Sequence, residues 1–294
     1  MEKISPRVDI AFKKIFGVEE NKDLLISLIN AIVSPSDKVS DITLMNPYNA
    51  KNFRKDKLSI LDIKAVGADG KKFNIEVQIT DEADYDKRAL YYWGKLYTEQ
   101  LQSAGDYSQL CKAIGIHILN FVSIPEAPNY HNVFHITEKD SGFLYFKDLE
   151  LHTIELKKFT CDKNEDLTDI VAKVKNSLDV WSAFLTRHEL LKPDSLPQAL
   201  DNPNLKKALS VLEVMNFSSE ERQAYEDHLK WMRTEASGIK KADADALAEG
   251  IEIGKTEGIE IGKTTIAKGM LKAGISVDII AEVSGLTKEQ IEKL

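Results

Sequence analysis

The sequence predicts a mixed α/β fold followed by an all-helical C-terminal extension. Three observations predict it. Residues 58–79 alternate like two β-strands joined by a tight turn, and an amphipathic helical segment follows directly. The next apolar run, 112–122, fits a strand that is buried on both faces. Beyond residue 161 the periodicity is helical, and no confident strand precedes a glycine-rich repeat.

Two amphipathic helices are expected at the start of the chain. Ser5 and Pro6 form a helix-start signal, apolar residues then recur at helical spacing, and Gly17 ends the first helix. The second helix is expected over about 22–33. Residues 40–48 alternate between apolar and polar side chains, which predicts a strand before the hairpin.

The hairpin link, Gly67 to Gly70, contains the turn signal Asp-Gly. Further along the chain, helices are expected over 81–102, 167–184, 205–215 and 220–232, and strands over 132–137 and 149–156. The predicted order of the first 160 residues is therefore α-α-β-β-β-α-β-β-β.

A tandem repeat follows the helical region. The sequence Glu-Gly-Ile-Glu-Ile-Gly-Lys-Thr occurs at 249–256 and again at 257–264, which places a glycine at every fourth position. On a helix these glycines would form a ridge that another backbone can approach closely, although Ile-Glu-Ile also alternates as a strand would, and both interpretations stay open. Short helices are expected over 267–275, 276–285 and 287–294.

These patterns predict three regions: a domain over 1–190, a helical extension over 191–248, and a glycine-repeat segment with a small helical oligomerisation region over 249–294. A ridge of glycines lowers helix stability unless a second chain packs on it. We therefore expect a homo-oligomer, a dimer, assembled through the C-terminal helices.

Charge and composition limit the classes of function. The net charge is −8, and residues 161–294 carry 18 basic and 24 acidic residues, so a generic basic DNA-coating protein is disfavoured. The sequence has no apolar run long enough to cross a membrane and no apolar signal-peptide core at its start. We expect a cytoplasmic protein in which Cys111 and Cys161 are reduced thiols.

The hairpin carries the candidate chemistry. Asp62 lies in its first strand and Glu76 in its second, and a twisted hairpin can bring the two carboxylates to one edge. Mg²⁺ prefers such oxygen ligands, with Mn²⁺ or Ca²⁺ as alternatives, and the backbone carbonyl of Val77 would complete the set. Gln78 could orient an attacking water and Lys64 could stabilise negative charge. On spacing alone the hairpin could equally be polar and inert.

A basic run precedes the hairpin. Lys51, Arg54, Lys55 and Lys57 lie directly before its first strand and could hold a phosphate backbone beside the carboxylates. The alternative is a solvated loop.

Four segments together give a resemblance: RVDIAFKKIFG at 7–17, LDIKAV at 61–66, FNIEVQI at 73–79 and RALYYWGKLYTEQL at 88–101. With them, roughly residues 1–160 resemble the Rpn-type recombination-promoting nucleases, also described as PD-(D/E)XK nuclease family transposases. The resemblance implies a restriction-endonuclease-like core and metal-dependent DNA endonuclease activity. It also implies a link to recombination, mobile elements or phage defence.

The resemblance assigns Asp62 and Glu76 as the metal-binding acids, and Asp9 as an acid that assists them. Gln78 occupies the position at which the wider superfamily carries lysine, so the positive charge must come from elsewhere. Lys64, Lys13 and Lys14 are the candidates for that charge.

Arg88 and Tyr92, or its neighbour Tyr91, match the polar face of the helix after the hairpin, where they would contact DNA or the active site. Each assignment has an ordinary structural alternative. Asp9 could be a first-turn acid favoured by the helix dipole, and Arg88 and Tyr92 a surface pair four residues apart.

Two other classes of function stay open. The chain could be a catalytically silent DNA- or protein-binding module assembled through its C-terminal helices. Residues 276–294 also have the length of a helix-turn-helix. This segment contains two basic residues, Lys288 and Lys293, and four acidic residues, which favours protein–protein contact. His131 and His135 share a strand face, which leaves a zinc pair open.

Overall fold

The computed structural model describes residues 4–48, 62–81, 84–101, 106–160, 162, 164–215 and 217–294; it gives Asp62 and several residues between 228 and 245 by their backbone alone. Six strands form one sheet: β1 Ile42–Leu44, β2 Asp62–Gly67, β3 Lys72–Gln78, β4 Ala113–Leu119, β5 His131–Thr137 and β6 Leu144–Glu155. The order across the sheet is β1-β2-β3-β4-β6-β5. The β3–β4 and β4–β6 pairs are parallel and the other pairs are antiparallel, which confirms the predicted mixed sheet.

The described α-helices are α1 Asp9–Phe16, α2 Lys22–Ile32, α3 Tyr85–Thr98, α4 Leu156–Phe159, α5 Leu167–Lys173, α6 Ser177–Arg187, α7 Pro203–Glu213, α8 Ser219–Lys272, α9 Val277–Ser284 and α10 Lys288–Ile291. The predicted order of the first 160 residues is confirmed up to β6, and the short helix α4 that follows was not predicted. Among the described helices, none combines the length and the hydropathy that a membrane crossing requires.

The main core lies on one face of the sheet. Alternate residues of β3 and β4, such as Ile75 and Ile116, pack there against α1, α2, α6 and α7. Phe16 of α1 makes an edge contact with Trp181 of α6, with ring centroids 5.3 Å apart. This core fixes α1 against the sheet, so that the side chains on its first turn lie near β3.

Helix α3 covers the opposite face. Trp93 and Leu96 pack there with Ala113 of β4. Gly115 allows this close packing, since a Cβ at that position would lie 3.4 Å from Trp93 and 2.9 Å from a side-chain carbon of Leu151. The outcome is a three-layer arrangement, helix–sheet–helix, in which the strand residues facing α3 are buried.

The β2–β3 hairpin follows the sequence prediction closely. Gly70 closes the turn with φ of +85°, a left-handed conformation that L-residues with a side chain seldom adopt. The turn sets the register, in which Asp62 pairs with Glu76 and Lys64 with Asn74. The expected juxtaposition of positions 62 and 76 is therefore correct at the level of the backbone.

Three predicted boundaries are wrong in detail. The first helix begins at Asp9 instead of Ser5, because Ser5 and Val8 form a turn and the backbone N–H of Ser5 donates to the Tyr225 hydroxyl at 2.9 Å. The predicted strand 40–48 has only Ile42–Leu44 in the sheet, and the predicted helix 81–102 contracts to α3.

The predicted helix 167–184 is two helices, α5 and α6. Asn176 ends the continuity because its side-chain oxygen accepts hydrogen bonds from the backbone N–H groups of Leu178 and Asp179. The Asp179 carboxylate accepts a hydrogen bond from the backbone N–H of Asn176, which completes a capping box and starts a new helix.

The chain divides into two compact units, residues 1–232 and 233–294. Helix α8 begins in the first and ends in the second, and it contains the whole glycine repeat, so the helical interpretation is correct and the strand interpretation is wrong. The predicted helix 267–275 is the last part of α8. In the second unit Ala267, Ile280, Leu286 and Ile291 form a small core between the end of α8, α9 and α10. The three-region division at 190 and 248 stays a prediction.

A buried polar network joins β4, β5 and β6 on the main-core face. Lys112 donates to Asp37 at 2.8 Å and to Glu150 at 2.9 Å. Glu150 contacts His152 Nε2 at 2.7 Å, and His152 Nδ1 lies 2.9 Å from His131 Nε2. Burial, followed by the neighbouring His152, lowers the pKa of His131 to about 4.

The zinc pair left open by the sequence gains no support. His135 Nε2 lies 3.4 Å from Glu150, whereas His131 contacts His152. Among the described side chains, no three histidine, cysteine or acidic groups are arranged to hold a metal ion.

The low pKa of His131 predicts a pH dependence of stability. The folded state holds this imidazole neutral while the unfolded chain protonates it near pH 6.5, so stability falls as the pH drops from 6.5 towards 4. We expect His131 to contribute about 1–2 kcal/mol to the loss between pH 7.5 and 5. Urea unfolding of the wild type and of His131→Gln at both pH values measures the difference. An equally steep loss in the variant would contradict the assignment.

Candidate active site

Strand β3 presents alternate polar residues to α3. Asn74, Glu76 and Gln78 point to the α3 side, whereas Phe73, Ile75 and Val77 join the main core. The Glu76 side chain is only 2% exposed. A buried carboxylate must be paired or hydrogen-bonded to remain charged, so its neighbours determine what this site can do.

Helix α1 brings a second acid and a lysine to Glu76. Asp9 and Lys13 lie one turn apart on α1, and Lys13 is buried with 6% exposure. Burial and the nearby charge of Glu76 raise the pKa of Asp9 to about 7, while Lys13 and Arg88 act in the opposite direction. Asp9 and Glu76 therefore form a pair of acids that disfavour each other's charge.

Helix α3 supplies a guanidinium to the same place. Arg88 donates to Gln78 Oε1 at 2.8 Å, and its Nη2 lies 3.4 Å from Glu76 Oε1. The guanidinium carbon lies 5.5 Å from the centroid of the Tyr85 ring, one turn earlier on the helix. Arg88 therefore contacts both polar side chains of the Glu-x-Gln motif, Glu76 and Gln78.

Strand β4 contributes a histidine that the sequence analysis did not assign. His117 pairs with Glu76 in the parallel register and is 1% exposed. Its Nδ1 lies 2.5 Å from the Tyr85 hydroxyl and 3.7 Å from Glu76 Oε2. Burial, followed by the charge of Arg88, lowers the pKa of His117 to about 4, so the imidazole is neutral at pH 7.

The sequence contained one signal for His117, a single polar residue inside the apolar run of β4. Its partner Tyr85 lies 32 residues earlier and on a helix, so no spacing rule connects the two.

Other predicted residues lie further from Glu76. Lys64 Nζ is 3.7 Å from Glu99 at the far end of α3, and Lys14 pairs with Glu221 at 2.8 Å. Tyr92 is 37% exposed and makes an edge contact with Tyr91. The basic run 51–57 lies outside the described residues.

The donor set suits a hard cation. Glu76 and Asp9 offer carboxylate oxygens, and the register places the backbone of Asp62 across from Glu76. Oxygen ligands are those that Mg²⁺, Mn²⁺ and Ca²⁺ take in proteins. A cation between two acids that disfavour each other's ionisation would relieve that repulsion.

A mixed sheet between helical layers, with an acidic hairpin against its first helix, is the architecture of a PD-(D/E)XK-type α/β core. The family model described as PD-(D/E)XK nuclease family transposase matches residues 6–242, and the chain belongs to this family. Comparison with curated proteins found no match, and comparison with solved structures found none. The family assignment identifies a nuclease and implies a DNA substrate.

Mutual repulsion between the acids predicts opposite shifts in two variants. Glu76→Gln removes a negative neighbour, so the pKa of Asp9 should fall from about 7, while burial keeps it above its usual 3.8. Arg88→Gln removes a positive neighbour and should raise the same pKa. Carboxyl-carbon NMR titration in EDTA measures both. An Asp9 pKa that is equal in the two variants would contradict the proposed coupling.

Proposed function

We propose that the chain is a divalent-metal-dependent DNA endonuclease that hydrolyses phosphodiester bonds. Support comes from family membership together with the cross-strand register of Asp62 and Glu76 beside Asp9. Asp62, Glu76, Asp9 and the carbonyl of Val77 would hold Mg²⁺, with Mn²⁺ or Ca²⁺ as substitutes. When bound, such an ion supplies an acidified water and neutralises charge on the phosphate.

The remaining residues of the site would bind and orient. Gln78 is proposed to orient the attacking water and Lys64 to stabilise negative charge, while Arg88 and Tyr92 on α3 would contact the DNA. Lys51, Arg54, Lys55 and Lys57 are proposed to hold its phosphate backbone. The proposed biological setting is recombination, mobile elements or phage defence. The transposase family description favours recombination and mobile elements. A cytoplasmic location also stays a proposal.

The hairpin acids provide the test of the proposed nuclease. Glu76→Gln and Asp62→Asn should each reduce plasmid nicking at least 100-fold, because both remove an anionic oxygen ligand while keeping side-chain size. Nicking is measured with Mg²⁺, Mn²⁺, Ca²⁺ and EDTA, beside thermal unfolding of each variant. The control is Glu99→Gln, which removes a carboxylate that pairs with Lys64 and Lys95 outside the acid pair. Undiminished cutting by both hairpin variants would refute the proposed active site.

A second proposal concerns assembly and rests on α8. Gly250, Gly254, Gly258 and Gly262 have open space where a Cβ would lie. At 100° per residue these glycines share one arc of the helix with Leu247, Ile251 and Ile261, which are 66%, 50% and 67% exposed. We propose that this arc packs against a second copy of the chain to form a homodimer. The alternative of a silent binding module keeps the same dimer and lacks metal-dependent cleavage.

Light scattering after gel filtration tests the dimer. The double variant Gly254→Leu, Gly258→Leu should be monomeric, because two side chains block close approach of backbones. The same changes raise helix propensity by about 1 kcal/mol each, so lost helix cannot explain lost assembly. Glu252→Leu places the same leucine side chain outside the arc and should remain dimeric. A dimeric glycine variant, or a monomeric wild type, would contradict the proposal.

A further inference from the structure

Phosphodiester hydrolysis is accelerated by a positively charged side chain that contacts the reacting phosphate. One P–O bond forms from water and one P–O bond to a deoxyribose oxygen breaks. In net, one proton of the water goes to the leaving oxygen and the other to the new phosphate monoester or to solvent. Negative charge grows on the phosphoryl oxygens during this exchange, and a preorganised donor there lowers the barrier.

Three of the described cations near the β2–β3 hairpin differ in exposure and in contact with Glu76, and the side chains of Lys64 and Arg88 are each 25% exposed. Lys13 is 6% exposed and faces the acids from within the protein. Lys64 is directed to Glu99, at 3.7 Å. The Arg88 side chain is 25% exposed and still reaches Glu76, which is 2% exposed. Of these three, Arg88 alone both contacts the buried acid and opens towards solvent.

Gln78 is built to hold that guanidinium. Its Nε2 donates to the carbonyl of Thr80 at 3.2 Å, so its amide oxygen is the end that faces Arg88 and accepts at 2.8 Å. A lysine at position 78 would bring a second positive charge into this contact, which like charges disfavour. A neutral acceptor at 78 and an arginine at 88 are therefore a matched pair.

The other side of Arg88 is also fixed. The Tyr85 ring lies against the guanidinium at 5.5 Å, and the Tyr85 hydroxyl is bonded to buried His117. An arginine held between an amide oxygen and an aromatic face loses little rotamer freedom when it meets a phosphate, and its planar donors match phosphate oxygens.

We infer that Arg88 is the catalytic cation of this site, that it contacts the scissile phosphate, and that Gln78 is a positioning residue for it. The inference deepens the proposed nuclease function and rests on it. The resemblance implies that Arg88 contacts DNA or the active site, and the inference gives it a specific role in the chemical step.

Steady-state nicking separates the two roles. Arg88→Gln should lower kcat by about 10²–10³-fold and change KM by less than about threefold, since the lost donor acts on charge that develops in the transition state. Millimolar guanidinium chloride should raise the kcat of Arg88→Gln at least tenfold. Lys95→Gln, a basic residue on the same helix that pairs with Glu99, is the control and should keep kcat. A change confined to KM, or a kcat within threefold of wild type, would overturn the inference.

Two further variants test Gln78. Gln78→Leu keeps Arg88 but removes its acceptor, and kcat should fall about tenfold with calcium binding unchanged in calorimetry. This variant also decides the matter if Arg88→Gln does not fold, because unaltered kcat in Gln78→Leu overturns the inference. The double variant Gln78→Lys, Arg88→Gln moves the positive charge to position 78. Its kcat should be at least tenfold higher than that of Arg88→Gln.

Failure of the two proposals can be distinguished. A wild-type chain that does not nick DNA with Mg²⁺ or Mn²⁺ would overturn the nuclease function and this inference together. A wild type that nicks through Glu76, beside an Arg88→Gln variant of equal kcat, would overturn this inference alone.

Discussion

The carboxylate of Glu76 is almost completely removed from water, and much of the first unit is arranged around that fact. Moving a charge out of water costs several kcal/mol unless neighbours replace the lost hydration. Arg88 on α3 places a positive charge 3.4 Å from Glu76, and Lys13 on α1 places a second positive charge beside the neighbouring acid Asp9. Each element is held by its own apolar packing, so the core of the protein keeps the charges together.

That constraint explains why a site so poor in exposed charge can belong to a nuclease. Burial and the nearby charge of Glu76 raise the pKa of Asp9, so its charged form is favoured only when a cation lies close to both acids. In the absence of a cation, the repulsion between Asp9 and Glu76 destabilises the folded state. Repulsion between neighbouring acids is common at sites that bind a cation, because a bound cation neutralises the two carboxylates.

Periodicity and turn chemistry were enough to predict the order of elements, since β3, β4 and the early helices follow their hydrophobic patterns without competition. The register of Asp62 with Glu76 was predictable because the Asp-Gly turn leaves few choices. The break at Asn176 was missed because a capping box competes with an otherwise continuous apolar stripe. The contacts of Arg88, Tyr85 and His117 could not be predicted, because they form only when α3 packs across β3 and β4, and that packing has no local signature.

Helix α8 combines several glycines with exposed isoleucines, and this combination argues for a binding partner. Four glycines within thirteen residues cost a solvated helix about 4 kcal/mol relative to alanine, and the isoleucines among them remain half exposed or more. Neither feature improves the second unit, whose small core is formed by the end of α8 with α9 and α10. The arc that carries the four glycines with Leu247, Ile251 and Ile261 combines open backbone with exposed apolar side chains, as a helix face that packs against another helix does. The most economical cover is the same arc of a second chain, because a two-fold axis brings identical surfaces together and lets each glycine ridge accept the other's isoleucines.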